Sequence, residues 1–324
     1  MSNPSLIIAA KDIRDSARDP FLAIVAGFLA VAALTALVTG AIALAGDVAT
    51  YNAAKDALLA LGKSTDEIKP PEFYPLRLLR GAVEQIEIVG AAIAILAGFR
   101  AAAAERGRQT LALILTRPLT MRQFTLGKII AGIGLLALAL GGVFALCAAL
   151  LHGLSGIGLT QDDLARLALI WAMSLTYTAC FFLLGFGLTL HLRRPATALL
   201  IAFAVWLILV LIAPQIGDTM DPDNQIAGGV FHALSIAKAD QTRIMQGYTT
   251  FETIRDGIEQ ASVTKHFERL SFAVLGIKAT YTGLPLGPIL IEKIWDMVWI
   301  IATALGLGTI VLALPLNPKT LTEE

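Results

Sequence analysis

The run from Phe21 to Gly46 holds no charged residue until Asp47 and exceeds the ~20 residues a helix needs to cross a hydrocarbon core. A chain built on such a run cannot be an ordinary soluble domain, and five more apolar runs follow, at about 84–104, 129–151, 167–190, 196–216 and 294–315. Composition agrees: 56% hydrophobic residues, 15% charged residues and a mean hydropathy of +0.72 lie outside the soluble range. The expected fold is all-α. It is a single polytopic membrane domain over 1–324 with six transmembrane helices, an N-terminal interfacial helix and a helical region outside the membrane.

Between the second and third runs lies the one long basic interruption, Glu105 to Lys128, ERGRQTLALILTRPLTMRQFTLGK. It sets Arg106, Arg108, Arg117, Arg122 and Lys128 against Glu105, and a basic link between spans is expected in the cytosol. Thr110 to Arg117 groups Leu111, Leu113, Ile114 and Leu115 between arginines, which suits a short helix lying on a membrane or a partner. Pro118 stops it, because proline disfavours the α region for Arg117 and removes a donor. Thr120 followed by Gln123 fits a capping box that starts the next helix. The expected shape is helix, elbow, helix.

Glu105 five residues before Thr110, the leucine-rich turn, Thr116-Arg117-Pro118-Leu119-Thr120 and Gly127-Lys128 entering a span together resemble the first cytosolic loop of type-2 ABC transporter permeases. The span number and the phrase His266-Phe267-Glu268-Arg269-Leu270 before the last span look like the same family. The resemblance implies that the loop is a coupling helix docking on a separate cytosolic ATPase through Glu105, Arg106, Arg108, Thr110, Leu113, Arg117, Pro118 and Arg122. It also implies a two-fold dimer of permease chains, identical or related, and export as the direction. ATP and Mg would be bound by the partner, since Gly127-Lys128 is followed by Ile129 and no glycine lies five positions before Gly127, so there is no phosphate-binding loop.

Orientation follows from the basic residues. With both termini inside, the cytosolic side collects Lys11, Arg14, Arg18, Arg100, Arg106, Arg108, Arg117, Arg122, Lys128, Arg193, Arg194 and Lys319, while the second short outer loop has no lysine or arginine before Arg166. The setting is then the cell (inner) membrane. The N-terminal apolar run is too long for a signal peptide, so the N-terminus is expected to be retained. Leu6, Ile7, Ala10, Ile13 and Ala17 share one side of a short elbow helix ended by Pro20. Residues 47–83 read as a short helix plus an ordered loop. Within 217–291, Ala227–Gly247 and Phe251–Gly276 look helical, with both glycines as stops; the region would form an extracytoplasmic cap, and an outside partner is one use for it.

Net charge is zero and pI near 6.9, so nothing argues for nucleic acid. Cys147 and Cys180 read as inert packing. The four histidines are scattered and read as surface or interfacial. Asp218, Asp221, Asp223 and Asn224 read as a turn with a helix cap, since calcium-loop spacing would put glycine where Ile226 stands. A membrane enzyme is disfavoured by the absence of GxSxG, of HExxH and of a histidine facing a carboxylate within a span. Glu84 and Glu87, one turn apart on the second span, and Glu292 and Asp296, one turn apart on the sixth with Trp299 extending their face, either line the outer mouth of a path or anchor helix ends in the headgroup layer. Ser174, Tyr177 and Thr178 on the fourth span either bond across helices or face a substrate.

Overall fold

The computed structural model describes residues 4–17, 20–61, 74–107, 120–155, 159–220 and 230–315, and these are helical with short connections. Among the described residues six helices are long and apolar enough to cross a membrane. This is an all-α polytopic membrane protein.

Helix α1 (Pro4–Ala17) lies against the start of α4 (Met121–Ser155), burying Ser5 and Ala9 one turn apart. Gly127 permits this crossing, because a Cβ there would stand 2.8 Å from the Ser5 carbonyl oxygen and 2.9 Å from Ile8. Helix α2 (Pro20–Ala60) buries Val25, Leu29, Ala33 and Leu37, four residues apart, and exposes Ile24, Phe28, Val31 and Val38. Its apolar part is Ala23–Ile42, yet the helix runs on unbroken to Ala60. The short helix expected after Asp47 is thus present but continuous with the first span rather than separate from it. Polar composition separates water from hydrocarbon, not loop from helix, and 47–60 is alanine- and leucine-rich with no proline.

The next span, α3 (75–107), begins at Pro75, nine residues before the expected Glu84. Proline fits the first helical position, where its missing N–H costs nothing. The helix opens as a 3-10 turn, becomes α at Arg80–Gln85, widens to a π turn at Ile86–Gly90 and continues as Ala91–Gly107. Helix α5 (Gln161–His191) starts from a capping box in which Thr160 and Asp163 exchange hydrogen bonds. Helix α6 (195–220) has Pro195 in its first turn and a second π turn at Leu207–Ile212.

Helices α3 and α5 run parallel, with Tyr74 meeting Asp163, Glu87 meeting Tyr177 and Gly98 meeting Phe182. Their backbones touch. A Cβ on Gly98 would stand 2.2 Å from the Phe182 carbonyl oxygen, and one on Gly185 2.4 Å from that of Ile95. Buried Tyr177, Phe181, Phe182 and Phe186 place α5 at the centre of the bundle.

The region after α6 is divided more finely than the sequence implies: α7 (Val230–Ala233), α8 (Lys238–Met245), α9 (Thr249–Ala261), α10 (Val263–Val274), α11 (Leu286–Glu292) and α12 (Ile294–Ala313). The expected continuous helix Phe251–Gly276 is broken at Ser262, which turns extended (φ −88°, ψ 115°) and caps α10 by accepting from the Lys265 N–H. Gly276 stops α10 at φ +63°, whereas Gly247 lies inside the 3-10 turn Gln246–Tyr248. Helix α10 is buried on nearly every side and sits among the spans rather than on top of them.

Candidate functional site

The two π turns build the first half of the site. Widening from i→i−4 to i→i−5 bonding inserts a residue and frees backbone carbonyls that need donors from elsewhere. In α3 the Glu87 carbonyl accepts from the Tyr177 hydroxyl at 2.8 Å, and the Ile88 carbonyl accepts from Trp206 Nε1 at 3.1 Å. In α6 the Leu209 carbonyl accepts from Ser262 Oγ at 3.4 Å. Both irregular turns are thus closed by side chains of neighbouring helices, and α10 starts where they meet.

Helix α10 brings charge into this apolar setting. Lys265 pairs with Glu268 at 2.9 Å, and the Glu87 side chain is buried in the same region. His266 Nε2 donates to the Gln260 carbonyl at 3.0 Å, and Nδ1 lies 2.6 Å from Asp296 Oδ1. Trp299 covers the imidazole at 5.4 Å. Phe267 stacks on Tyr177 with ring centroids 4.5 Å apart. One seam therefore joins α3, α5, α6, α10 and α12.

The sequence-derived path residues divide around this seam. Glu87, Tyr177 and Asp296 belong to it. Glu84 turns away and pairs with Arg80 at 2.8 Å on the exposed side. Thr178 bonds to the Ser174 carbonyl of its own helix, while Ser174 Oγ is buried with no hydrogen-bond partner among the described residues. Glu292 does not share a helical face with Asp296. The chain breaks at Lys293 (φ −96°, ψ 14°), so Glu292 ends α11 and accepts from Tyr281, whose hydroxyl that bond pushes above its ordinary pKa. Glu87 and Asp296 are both buried, each 8% exposed. The expectation that His266 is superficial and faces no carboxylate is corrected too. Its partner is thirty positions on, beyond α11, where no helical spacing reaches.

In the sequence Arg166 stands out only as a loop charge, yet it is the anchor of the bundle end where α5 begins. It is 1% exposed, pairs with Asp162 at 2.6 Å, and donates to the carbonyls of Val274 (2.7 Å) and Leu284. The Val274 contact places a cation at the C-terminus of α10, where the helix dipole favours one. Tyr74 donates to Asp163 at 3.2 Å; burial, reinforced by Asp163 and Asp162 against the opposing pull of Arg166, pushes its hydroxyl up to about 12. The one sequence signal was an arginine at the start of an apolar run, preceded by Asp162 and Asp163.

At the other end, Thr120 and Gln123 exchange the two hydrogen bonds of a capping box, at 3.1 and 3.2 Å, and start α4. Arg122 is exposed in that first turn. Lys128 pairs with Asp12 of α1 at 2.8 Å in a buried position. Arg108, Thr110, Leu113, Arg117 and Pro118 lie outside the described residues, as do the side chains of Glu105 and Arg106. Among the described residues no group of histidine, cysteine, aspartate and glutamate is arranged to hold a metal.

Among known proteins, residues 6–316 match the family model described as ABC-2 family transporter protein, which takes in the basic loop, all six spans and α10. No curated protein matches the chain.

Proposed function

Since this chain belongs to the ABC-2 transporter family, we propose that it is a permease subunit whose loop 105–128 docks on a separate cytosolic ABC ATPase, which binds ATP and Mg. Two permease chains, identical or related, enclose the path, and the complex exports an apolar or amphiphilic cargo. Both termini face the cytosol of the inner membrane. Glu105, Arg106, Arg108, Thr110, Leu113, Arg117, Pro118 and Arg122 form the docking surface.

The observation that carries this reading is the chain of close contacts that leads from α3, which enters the loop, to the seam. The loop joins α3 to α4. Helix α3 touches α5 backbone to backbone at Gly98 and Gly185, and α5 holds α10 through Tyr177 and Phe267. A push delivered to the end of α3 is passed to the Glu87, Tyr177 and Asp296 seam through these contacts. In this scheme α10 is the outer gate, and the seam residues form its closed state.

A second reading has the same displacement working on an extracytoplasmic partner. The continuation of α2 beyond Ile42 favours it, because ~27 Å of helix at 1.5 Å per residue reaches past the apolar span. One experiment tests the shared core: the tagged chain is recovered in mild detergent and its eluate assayed for an ABC ATPase and vanadate-sensitive ATP hydrolysis. We expect stoichiometric recovery, lost in Leu113→Asp while membrane insertion stays intact. A folded chain that brings down no ATPase and no hydrolysis refutes the permease reading.

A further inference from the structure

One imidazole ring ties three helices together. His266 of α10 places Nε2 3.0 Å from the Gln260 carbonyl oxygen, at the end of α9, and Nδ1 2.6 Å from Asp296 Oδ1, at the start of α12. A neutral imidazole has one N–H and one lone pair, whereas a carbonyl or an ionised carboxylate only accepts. With the ring proton on Nε2, Nδ1 and the carboxylate would meet as two acceptors. With it on Nδ1, Nε2 and the Gln260 carbonyl would do so. Both contacts are made at once only if the pair carries one proton more, as an imidazolium beside a carboxylate or as a neutral ring accepting from a protonated Asp296. In either form the site closes around a bound proton and its total charge is zero.

Both side chains are buried, so losing the proton would leave a net negative charge and an unmet acceptor out of water, which is costly. The described charged groups on the packed elements have partners of their own. On α10 Lys265 pairs with Glu268, and Arg269 is bonded to Glu259 of α9. Glu87 of α3 interacts with Lys265 and Glu268. Where α11 meets α12, Glu292 is bonded to Tyr281 and lies 3.6 Å from Lys293. From α5 the Tyr177 hydroxyl is given to the Glu87 carbonyl. Asp296 is the carboxylate that faces the ring, and Trp299 lies against the other side at 5.4 Å.

We infer that His266 and Asp296 form a proton-binding site that ties α10 to α9 and α12, and that rising pH frees α10 by removing the proton. On separated, hydrated helices above about pH 7 a histidine is neutral and an aspartate ionised. Opening therefore breaks the extra N–H or O–H bond, the proton passes to water, and a neutral imidazole and a carboxylate remain. With one proton released, each further pH unit favours the open form about tenfold. The tie is complete below the ordinary histidine range and weakens as pH rises above it. This makes pH an input to the position of α10 that is separate from anything the basic loop supplies. The inference stands on the hydrogen-bonding geometry and does not depend on an ATPase or a cargo.

The test is hydrogen–deuterium exchange of the full-length chain in nonionic detergent, read by mass spectrometry on peptides from Val263–Val274. Rates between about pH 7 and pH 9 are divided by those of the same peptides unprotected, which removes the intrinsic pH dependence of exchange. Protection of α10 in the parent should fall about tenfold per pH unit, the mark of one proton released on opening. Asp296→Asn offers an amide N–H to Nδ1 while Nε2 still donates to Gln260, so both bonds are kept with a neutral ring. Its protection should not change with pH. His266→Gln, whose single amide cannot span both partners, should be less protected at every pH and equally flat. A purely structural role would lower protection in the variants and leave the slope as in the parent. Protection in the parent that is independent of pH overturns the inference, and so does an Asp296→Asn protein whose protection falls as steeply as the parent's. If Asp296→Asn does not fold, His266→Gln is held to the same flat profile.

Discussion

Gly98→Ala is the sharpest probe of the α3–α5 seam. The new methyl carbon would stand 2.2 Å from the Phe182 carbonyl oxygen and 2.8 Å from the Phe186 nitrogen, where ordinary contact begins near 3.4 Å. Both obstacles are backbone, so no side chain can swing aside, and the helices must part by about 1 Å. A gap of that size forfeits a quarter to a half of the dispersion well for the atoms along the seam. Overpacking costs about 1–3 kcal/mol, here at the upper end; alanine returns up to about 1 kcal/mol of helix propensity. The net loss is about 2 kcal/mol, read as an apparent Tm lower by several degrees in detergent. Gly185→Ala faces the Ile95 carbonyl at 2.4 Å and should behave alike. Once one methyl has parted the helices the second meets less resistance, so the double variant should lose less than the sum of the two. Gly142→Ala, with nothing within 4 Å, is the control. A Gly98→Ala protein at or above the parent Tm, or strict additivity, refutes the argument.

Two further outcomes follow from the bundle end where α5 begins. Arg166→Gln removes the donors to Val274 and Leu284 while leaving half-exposed Asp162 hydrated, and buried carbonyls without donors cost about 1–3 kcal/mol each. A loss of about 3 kcal/mol is expected, together with faster proteolysis between α10 and α11; unchanged cleavage would show that Arg166 does not hold that connection. Tyr74 keeps its proton to about pH 12 in the folded chain, above its unfolded value near 10. Its contribution is complete below pH 10 and is lost as pH rises toward 12, so Tyr74→Phe should show a flatter decline of apparent Tm across that interval. An identical slope in parent and variant would contradict the assignment.

Six apolar runs made the spans legible, and Thr120 with Gln123 made the start of α4 legible, because hydropathy and capping are local in sequence. The end of α2 was not, since the helix continues through polar residues that only the membrane boundary distinguishes. Glu87 was singled out as an ionisable residue at the edge of a span, but its partners were invisible. Tyr177 lies 90 positions away and reaches the Glu87 carbonyl only because a π turn frees it. The register of that turn carries no proline or glycine signal at its start. His266 and Asp296 became a pair only once α10 folded back among the spans, and no periodicity within one helix encodes that return.

That return has a consequence for how the chain is made. Helix α10 is ~18 Å long, too short to cross a bilayer, and it carries Lys265, Glu268 and Arg269, each of which opposes insertion on its own. Its seats on α3 and α5 are synthesised before it, but Asp296 is synthesised after it. Helix α10 can therefore complete its contacts, the His266–Asp296 pair among them, only after α12 has been made. A nascent chain ending before Ile294 already contains Asp162, Val274 and Leu284 for Arg166 and Tyr177 for the Glu87 carbonyl. It leaves His266 without Asp296, so that one pair separates a finished copy from an unfinished one.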